Sequence, residues 1–203
     1  YTDWLNRKLS GSVDPRGRSM SLDNDSNETP QVWRTALSEK QYPTHYVGEK
    51  ACEFLKDQDN TPFALVVSFP DPHHPFTPPG RYFDLYDPSE IPLPKSFSHR
   101  IKDRSDLPKH IQRIYEIGAE KPDEFWPFHA DEEHTRQMIA LNYGAITMID
   151  DQIGVVIQTL KNIGQFENTN IIFMSDHGDY MGDHGTVLKG GVHSHGLIRV
   201  PLI

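Results

Sequence analysis

Residues 171–178 read Ile-Ile-Phe-Met-Ser-Asp-His-Gly, an apolar run that ends abruptly on a carboxylate, an imidazole and a glycine. A short apolar run followed by polar residues is typical of a buried β-strand that ends in a loop. The carboxylate of Asp176 suits a hard cation, and the imidazole of His177 widens the choice of metal to manganese or zinc. The stretch therefore predicts a divalent metal site at the end of a strand, with Asp176 and His177 as ligands.

A lysine followed by two glycines comes twelve residues after His177, where residues 188–193 read Leu-Lys-Gly-Gly-Val-His. This spacing favours a backbone folded tightly around a bound group, with the ammonium of Lys189 holding an anion. His193 is a candidate hydrogen-bond donor to a substrate or leaving group, and a structural role for it is an open alternative. Metal ligands and a nearby cation together indicate a site that holds a charged ester.

A second apolar run, residues 63–69, is followed by a segment with prolines at positions 70, 72, 75, 78 and 79. Proline prevents regular structure there and holds the chain extended. His73 comes directly after this run, as Asp176 comes after the other. Ligands of α/β sheets collect at the carboxyl ends of the strands, so we predict that His73 joins the same site. We assign no role in the site to His74 and expect it to be only a neighbour of His73.

Apolar residues at three- and four-residue spacing predict a helix from about residue 44, a short helix at 110–117 and a long helix at 131–163. Together with strands at 63–69 and 170–175, this order predicts an α/β fold with a mostly parallel sheet between helices. Polar residues with no assigned chemistry remain. Asp150 and Asp151 are expected to be structural or solvated carboxylates, Cys52 a small apolar residue of the first helix, and Asp183, His184 and His195 are undecided.

Composition narrows the class of protein. The chain has 203 residues, enough for one domain, and a formal charge of −9 argues against a broad nucleic-acid surface. A membrane helix requires about 18 consecutive apolar residues, which the sequence does not contain. Its single cysteine excludes an intrachain disulfide and leaves the compartment, periplasm or cytoplasm, open. Residues 10–30 are polar with few apolar anchors, which favours a mobile surface loop or an insertion close to the substrate.

Several segments, in order, resemble the sulfatase family of the alkaline phosphatase superfamily, and within it bacterial choline-sulfatase-like and phosphonate-monoester-hydrolase-like members. The resemblance covers most of the chain, from about residue 44 to residue 203. It rests on Ser-Phe-Pro-Asp-Pro-His-His-Pro at 68–75, Arg-Tyr at 81–82, Tyr-Asp-Pro at 86–88, Asn-Tyr-Gly-Ala-Ile at 142–146, Ile-Asp-Asp-Gln-Ile-Gly at 149–154, Ser-Asp-His-Gly at 175–178, Gly-Asp-His-Gly at 182–185, Lys-Gly at 189–190 and Gly-Leu-Ile-Arg-Val-Pro-Leu-Ile at 196–203.

The resemblance implies an alkaline-phosphatase-like fold and hydrolysis of a small anionic sulfate ester. It implies Asp176 and His177 as metal ligands, and His73 and Lys189 as groups that bind the sulfate oxygens. The metal would be calcium, with manganese as the alternative because His177 stands where many members have asparagine. The chain also departs from the family after Lys189, since His195 occupies the usual glutamate position, and this affects the leaving-group pocket.

The family also implies a formylglycine nucleophile, made from the first residue of a Cys/Ser-x-Pro-x-Arg motif, which is absent from these residues. We therefore expect residues 1–203 to be the central part of a sulfatase catalytic domain, without the N-terminal nucleophile segment and the C-terminal subdomain, and to be inactive alone. Two alternatives remain: a phosphonate monoester or phosphodiester hydrolase on the same scaffold, and a non-catalytic remnant or binding module.

Overall fold

The computed structural model describes residues 1–9, 14, 16–22, 28–59, 61–100, 105–121 and 126–203. The chain forms two compact units. The first unit comprises Tyr1–Asn27, Val32–Tyr86 and Leu141–Asn170, and the second comprises Glu28–Gln31, Asp87–Ala140 and Ile171–Ile203. In chain order the helices and strands are α1 (Thr2–Leu9), α2 (Pro43–Lys56), α3 (Lys109–Glu120), β1 (Phe128–His129), α4 (Glu132–Asn162), β2 (Thr186–Val187) and α5 (His195–Ile198).

Helix α2 confirms the helix predicted from about residue 44. Pro43 occupies its first turn, where the missing N–H would have no intrahelical partner. Its buried face includes Ala51, Cys52 and Leu55. The hydroxyl of Thr159 donates to the Cys52 sulfur at 3.3 Å, so the thiol is a packed, buried group of the first unit, as predicted.

Helix α4 confirms the long helix predicted at 131–163. Two glutamates lie in its first turn, where negative charge favours the helix dipole. Gly164, with a positive φ of 71°, follows its last turn, and its N–H donates to the Lys161 carbonyl at 3.1 Å. The predicted apolar stripe is buried at Met138, Leu141, Ala145, Met148, Ile149 and Leu160.

Each unit has its own small core. In the first unit Leu5, Leu37, Tyr42, Tyr82 and Met148 form a buried cluster, against which Tyr1 and Trp4 pack. In the second unit Ile91, Ile139 and Ala140 form another, with Met181 against it. The predicted helix at 110–117 is present in the second unit as the slightly longer α3.

The two predicted strands are wrong as hydrogen-bonded elements. Among the described residues, the sheet consists of β1 and β2 alone, paired antiparallel. In the two predicted runs, Val66 is 90% exposed and Ile172 is 72% exposed. A β-strand requires a neighbour that supplies donors and acceptors along its length. Within the described ranges, residues 63–69 have no ladder partner, and 171–175 make one antiparallel bridge, between Met174 and Leu202.

The predicted mobile loop at 10–30 includes residues 10–13, 15 and 23–27, which lie outside the described residues. The described part contains a 3₁₀ turn at Arg18–Met20 and an antiparallel bridge between Ser21 and Thr35. Within the described ranges, every helix is too short or too polar to cross a lipid bilayer.

Candidate active site

Asp176 and His177 present two ligand atoms side by side in the second unit. The His177 Nε2 lies 3.7 Å from the Asp176 Oδ2. The backbone N–H of His177 donates to the Asp176 Oδ1 at 2.9 Å, and this bond, followed by the positive charges of His177 and Lys189, lowers the pKa of Asp176 below its ordinary value. Asp176 is therefore an ionised, well-exposed carboxylate.

The pair fits part of a divalent metal site. Two ligand atoms bonded to one ion at about 2.0–2.4 Å lie roughly 3–4 Å apart, which matches the separation of Nε2 and Oδ2. The Nδ1 of His177 lies 2.6 Å from the Gly178 carbonyl oxygen, the hydrogen bond that orients a metal-binding imidazole. Across the described part of the chain, no group of three His, Cys, Asp or Glu side chains converges, so the pair is an incomplete ligand set.

Gly178 shows why the residue after His177 is a glycine. A Cβ at this position would meet the Gly196 carbonyl oxygen at 1.9 Å, and the Gly178 N–H donates to the Leu197 carbonyl at 2.8 Å. The backbone of α5 therefore passes directly against Gly178, the residue that follows Asp176 and His177. Ser194 caps α5, since its hydroxyl accepts from the Leu197 N–H at 3.3 Å.

A cavity of about 350 Å³ in the second unit brings three of the predicted site residues together. Its polar lining comes from His177, Lys189 and His193, and Leu197 and Ile198 of α5 form an apolar wall. The Lys189 ammonium is a cation and the His193 ring can donate a hydrogen bond, so the cavity suits an anion whose remainder is apolar.

Tyr180 anchors the loop that carries Lys189 and His193. Its N–H donates to the Leu188 carbonyl at 2.8 Å, and its hydroxyl donates to the Val192 carbonyl at 2.5 Å. The Tyr115 hydroxyl in turn donates to that of Tyr180 at 3.0 Å. This role of Tyr180 could not be predicted, because an isolated tyrosine in a loop gives no periodic signal in the sequence.

Asp179, next to Tyr180, was also missed. Desolvation of its carboxyl group raises its pKa to about 6, although the Met181 N–H donates to Oδ1 at 3.2 Å and Lys189 is close enough to act in the opposite direction. The carboxyl group of Asp179 thus lies close enough to interact with the ammonium of Lys189, which lines the cavity.

His73 lies in the first unit, within residues 70–75, here called the His73 loop. The Nδ1 of His73 is 2.5 Å from the His74 carbonyl oxygen, and the two imidazole rings are 4.0 Å apart. His74 is buried, with 4% of its surface exposed, which suits the expectation that it is a packed neighbour. The loop contains cis peptide bonds before Pro72 and Pro75.

The His73 loop is held by polar residues that the sequence analysis did not single out. The carboxylate of Asp71 accepts hydrogen bonds from the hydroxyls of Thr44 and Tyr42 and lies 3.4 Å from a guanidinium nitrogen of Arg16. Burial raises the pKa of Asp71, with Arg16 and the hydroxyls opposing that shift. These contacts join residues up to 55 positions apart, so they leave no local pattern in the sequence.

The structure thus brings His177, Lys189 and His193 together, and places Asp176 beside His177, all in the second unit. His73 belongs to the first unit, and its approach to the other four stays a prediction. The roles assigned to all five residues are likewise predictions.

The remaining polar residues divide into structural and unassigned groups. Asp151 accepts from Arg81 and from Tyr82, each at 2.7 Å, which confirms its expected structural role. Asp183 accepts from the Ser96 hydroxyl, and the Nδ1 of His184 is 3.0 Å from the His99 carbonyl oxygen. Asp150 is exposed, as expected of a solvated carboxylate, and His195, exposed at the start of α5, keeps no assigned role.

The family model named Sulfatase matches residues 4–203. The chain belongs to the sulfatase family. Among curated proteins, this sulfatase chain is 33% identical over 204 residues to an arylsulfatase of Clostridium perfringens, covering 99% of the chain and 38% of that protein. It is 35% identical over 162 residues to a multifunctional alkaline phosphatase superfamily protein of Trinickia caryophylli, covering 76% of the chain and 30% of that protein.

Similar solved structures support the same fold. The sulfatase chain superposes on the phosphonate monoester hydrolase of Agrobacterium radiobacter with a TM-score of 0.71 and 26% identity, covering 98% of the chain and 40% of that structure. Among curated proteins, the chain is also 30% identical over 147 residues to a choline-sulfatase of Rhizobium meliloti, covering 72% of the chain and 27% of that protein. These matches confirm the predicted α/β, alkaline-phosphatase-like fold class. The chain spans less than two fifths of the length of these curated relatives.

Proposed function

We propose that this chain supplies part of the active site of a sulfuric-ester hydrolase. The observation that carries the proposal is the cavity of the second unit, where Lys189 and two histidines surround a space beside an ionised carboxylate. Membership of the sulfatase family supports the substrate class, and the similarity to an arylsulfatase supports a sulfate ester as the anion.

In this proposal each side chain acts on the charge of the ester. The ammonium of Lys189 holds one sulfate oxygen and stabilises the charge that develops on the sulfate as the nucleophile bonds to sulfur and the S–O bond to the alcohol breaks. The imidazolium of His73 donates to another sulfate oxygen. His193, exposed at the mouth of the cavity, donates a proton to the departing alcohol oxygen, so the alcohol leaves neutral.

Asp176 and His177 would hold the metal, calcium by preference and manganese as the alternative. When bound, the ion supplies positive charge that polarises the sulfate oxygens. The exposed Asp176 carboxylate and the His177 Nε2 would face it, while the hydrogen bond from Nδ1 to the Gly178 carbonyl fixes the tautomer. Further ligands are needed, because two protein atoms do not fill a calcium or manganese coordination shell.

The nucleophile belongs to the proposal but not to these residues. The family implies a formylglycine made within a Cys/Ser-x-Pro-x-Arg motif, and the sequence contains none. Its one cysteine, Cys52, is buried in α2 and accepts a hydrogen bond from the Thr159 hydroxyl, an environment that does not fit a nucleophile. We therefore assign the five site residues to metal binding, anion binding and proton transfer. We propose that residues 1–203 alone do not hydrolyse the ester.

A phosphonate monoester hydrolase is the second candidate. The observation in its favour is the TM-score of 0.71 with the Agrobacterium radiobacter enzyme, which covers nearly the whole chain. A phosphonate and a sulfate present similar tetrahedral oxygens to the same cations, so the cavity described here fits both.

Sulfate release from an aryl sulfate ester, measured on the natural full-length protein that contains these residues, tests the proposal. We expect hydrolysis that a chelator abolishes and calcium or manganese restores, and we expect His177→Ala to lower metal affinity at least 10-fold. His134→Ala is the matched control, because His134, in the first turn of α4, pairs with Asp131 just before the helix and does not line the cavity. Metal-independent hydrolysis, or turnover by residues 1–203 alone, would contradict the account.

A further inference from the structure

Arg16 makes a set of contacts that converge on the His73 loop. Its Nη1 donates to the Pro70 carbonyl at 3.4 Å, and its Nη2 donates to the carbonyls of His73 and Pro75, the latter at 3.3 Å. The same Nη2 lies 3.4 Å from the Asp71 carboxylate. One guanidinium therefore contacts the two ends of the loop and the carbonyl of the histidine between them.

Arg16 lies near the N-terminal end of the described residues, far from the His73 loop in sequence. The side chain of Asp14 accepts from the Arg16 N–H at 3.1 Å, and its carbonyl accepts from the Gly17 N–H at 3.1 Å. These bonds hold the backbone on either side of Arg16, which lies 57 residues before the histidine whose carbonyl it contacts.

The contacts require the shape of arginine. A guanidinium is a planar group with five donors in a fixed arrangement, and it can serve several carbonyl oxygens at once. A lysine ammonium at the same position would keep the charge opposite Asp71, but it is a compact group that cannot reach both ends of the loop. The Asp71 carboxylate beneath is itself fixed by Tyr42 and Thr44.

We propose that Arg16 is a positioning residue for His73, and that it acts by holding residues 70–75 in the shape that points the His73 imidazole at the substrate anion. The proposal rests on the proposed role of His73 in binding the ester. Since the Nδ1 of His73 is held by the carbonyl of His74 within the loop, a shift of the loop moves the imidazole with it. A misplacement of about 1 Å at a reacting group lowers turnover on the order of 100-fold.

Two variants of the natural full-length protein test the proposal through kcat/KM for an aryl sulfate ester. Arg16→Lys, which keeps the ion pair with Asp71, is expected to lower kcat/KM about 10- to 100-fold. In a His73→Ala background the same change is expected to lower it less than about twofold, because the group that Arg16 positions is gone. Equal losses in both backgrounds would mean that Arg16 has a general structural role, and would overturn the proposal.

Arg18→Lys is the matched control. Arg18 lies two residues after Arg16, and its guanidinium carbon is 5.2 Å from the centre of the Trp33 ring. It is expected to leave kcat/KM within about twofold of the wild type. An Arg18→Lys loss as large as that of Arg16→Lys would also contradict the proposal, since it would show that any change in this segment has the same effect.

A spectroscopic readout separates this proposal from the proposed function. In protein labelled with ¹⁵N-histidine, the His73 imidazole signals, assigned by their loss in His73→Gln, report whether Nδ1 carries the hydrogen-bonded proton. We expect Arg16→Lys to shift these signals and Arg18→Lys to leave them in place. If the wild type cleaves no ester, the proposed function fails while this comparison still decides the role of Arg16. Unchanged signals in Arg16→Lys would overturn it.

Discussion

A single hydrogen bond decides which nitrogen of His177 can bind a metal ion. With Nδ1 held 2.6 Å from the Gly178 carbonyl oxygen, Nε2 is the nitrogen left facing Asp176. The glycine is required there because the Gly196 carbonyl oxygen occupies the space of a side chain. The Asp-His-Gly sequence thus combines the two proposed metal ligands with the one residue small enough to let α5 pass.

Lys189 is the residue on which the anion-binding account depends most. Lys189→Ala is expected to lower kcat about 100- to 1,000-fold, because the ammonium stabilises charge that develops only in the transition state. Steady-state kinetics on an aryl sulfate measure this loss. Lys95→Ala, the removal of an exposed lysine of the same unit, should leave kcat unchanged. An unchanged kcat and kcat/KM in Lys189→Ala would remove Lys189 from the site.

The raised pKa of Asp71 predicts how the free energy of unfolding depends on pH. Because burial raises its pKa in the folded protein, the protonated form is favoured by folding. Its contribution is present below the unfolded pKa, about 3.9, and is lost as the pH rises through the folded pKa. The free energy of unfolding of the wild type should therefore fall relative to that of Asp71→Asn as the pH rises from about 4. Chemical denaturation of both proteins at several pH values measures this difference, and a difference that grows in the opposite direction would contradict it.

At the scale of elements, the helices could be predicted and the strands could not. The repeat of apolar residues in α2 and α4 is local, and each helix satisfies its own backbone hydrogen bonds. The runs at 63–69 and 171–175 have the composition of strands, but pairing depends on segments distant in sequence. Within the described residues, only Leu202 and Ile203 pair with the second run, and none forms a ladder with the first.

Two glycines of α4 give opposite expectations for the same substitution. A Cβ at Gly144 would lie 2.1 Å from the Tyr82 carbonyl oxygen, whereas a Cβ at Gly154 meets nothing within 4 Å among the described residues. Gly144→Ala should destabilise the protein by about 1–3 kcal/mol, because the backbone of residue 82 must move. Gly154→Ala should stabilise it by about 1 kcal/mol through helix propensity. Denaturant melts of both variants measure these changes, and a stabilising Gly144→Ala would show that α4 does not pack against Tyr82.

At the scale of the whole molecule, the candidate site could be predicted only in part. His177, Lys189 and His193 lie within 17 residues of one another, so a loop of ordinary length brings them to one cavity. The hold of Arg16 on the His73 loop was not predictable, because Arg16 is 57 positions from His73 and most contacts of its guanidinium with the loop are to backbone carbonyls. Carbonyl contacts carry no signal in side-chain type.

We propose that this site, in the natural full-length protein, cleaves sulfate esters faster than phosphonate monoesters, and what supports this order is the match to the sulfatase family and to an arylsulfatase. The most direct test is the ratio of kcat/KM for an aryl sulfate to kcat/KM for the matching aryl phosphonate monoester, measured with the same alcohol as leaving group and the same metal. The account predicts a ratio above one. A ratio below one, or no hydrolysis of the sulfate, would contradict it.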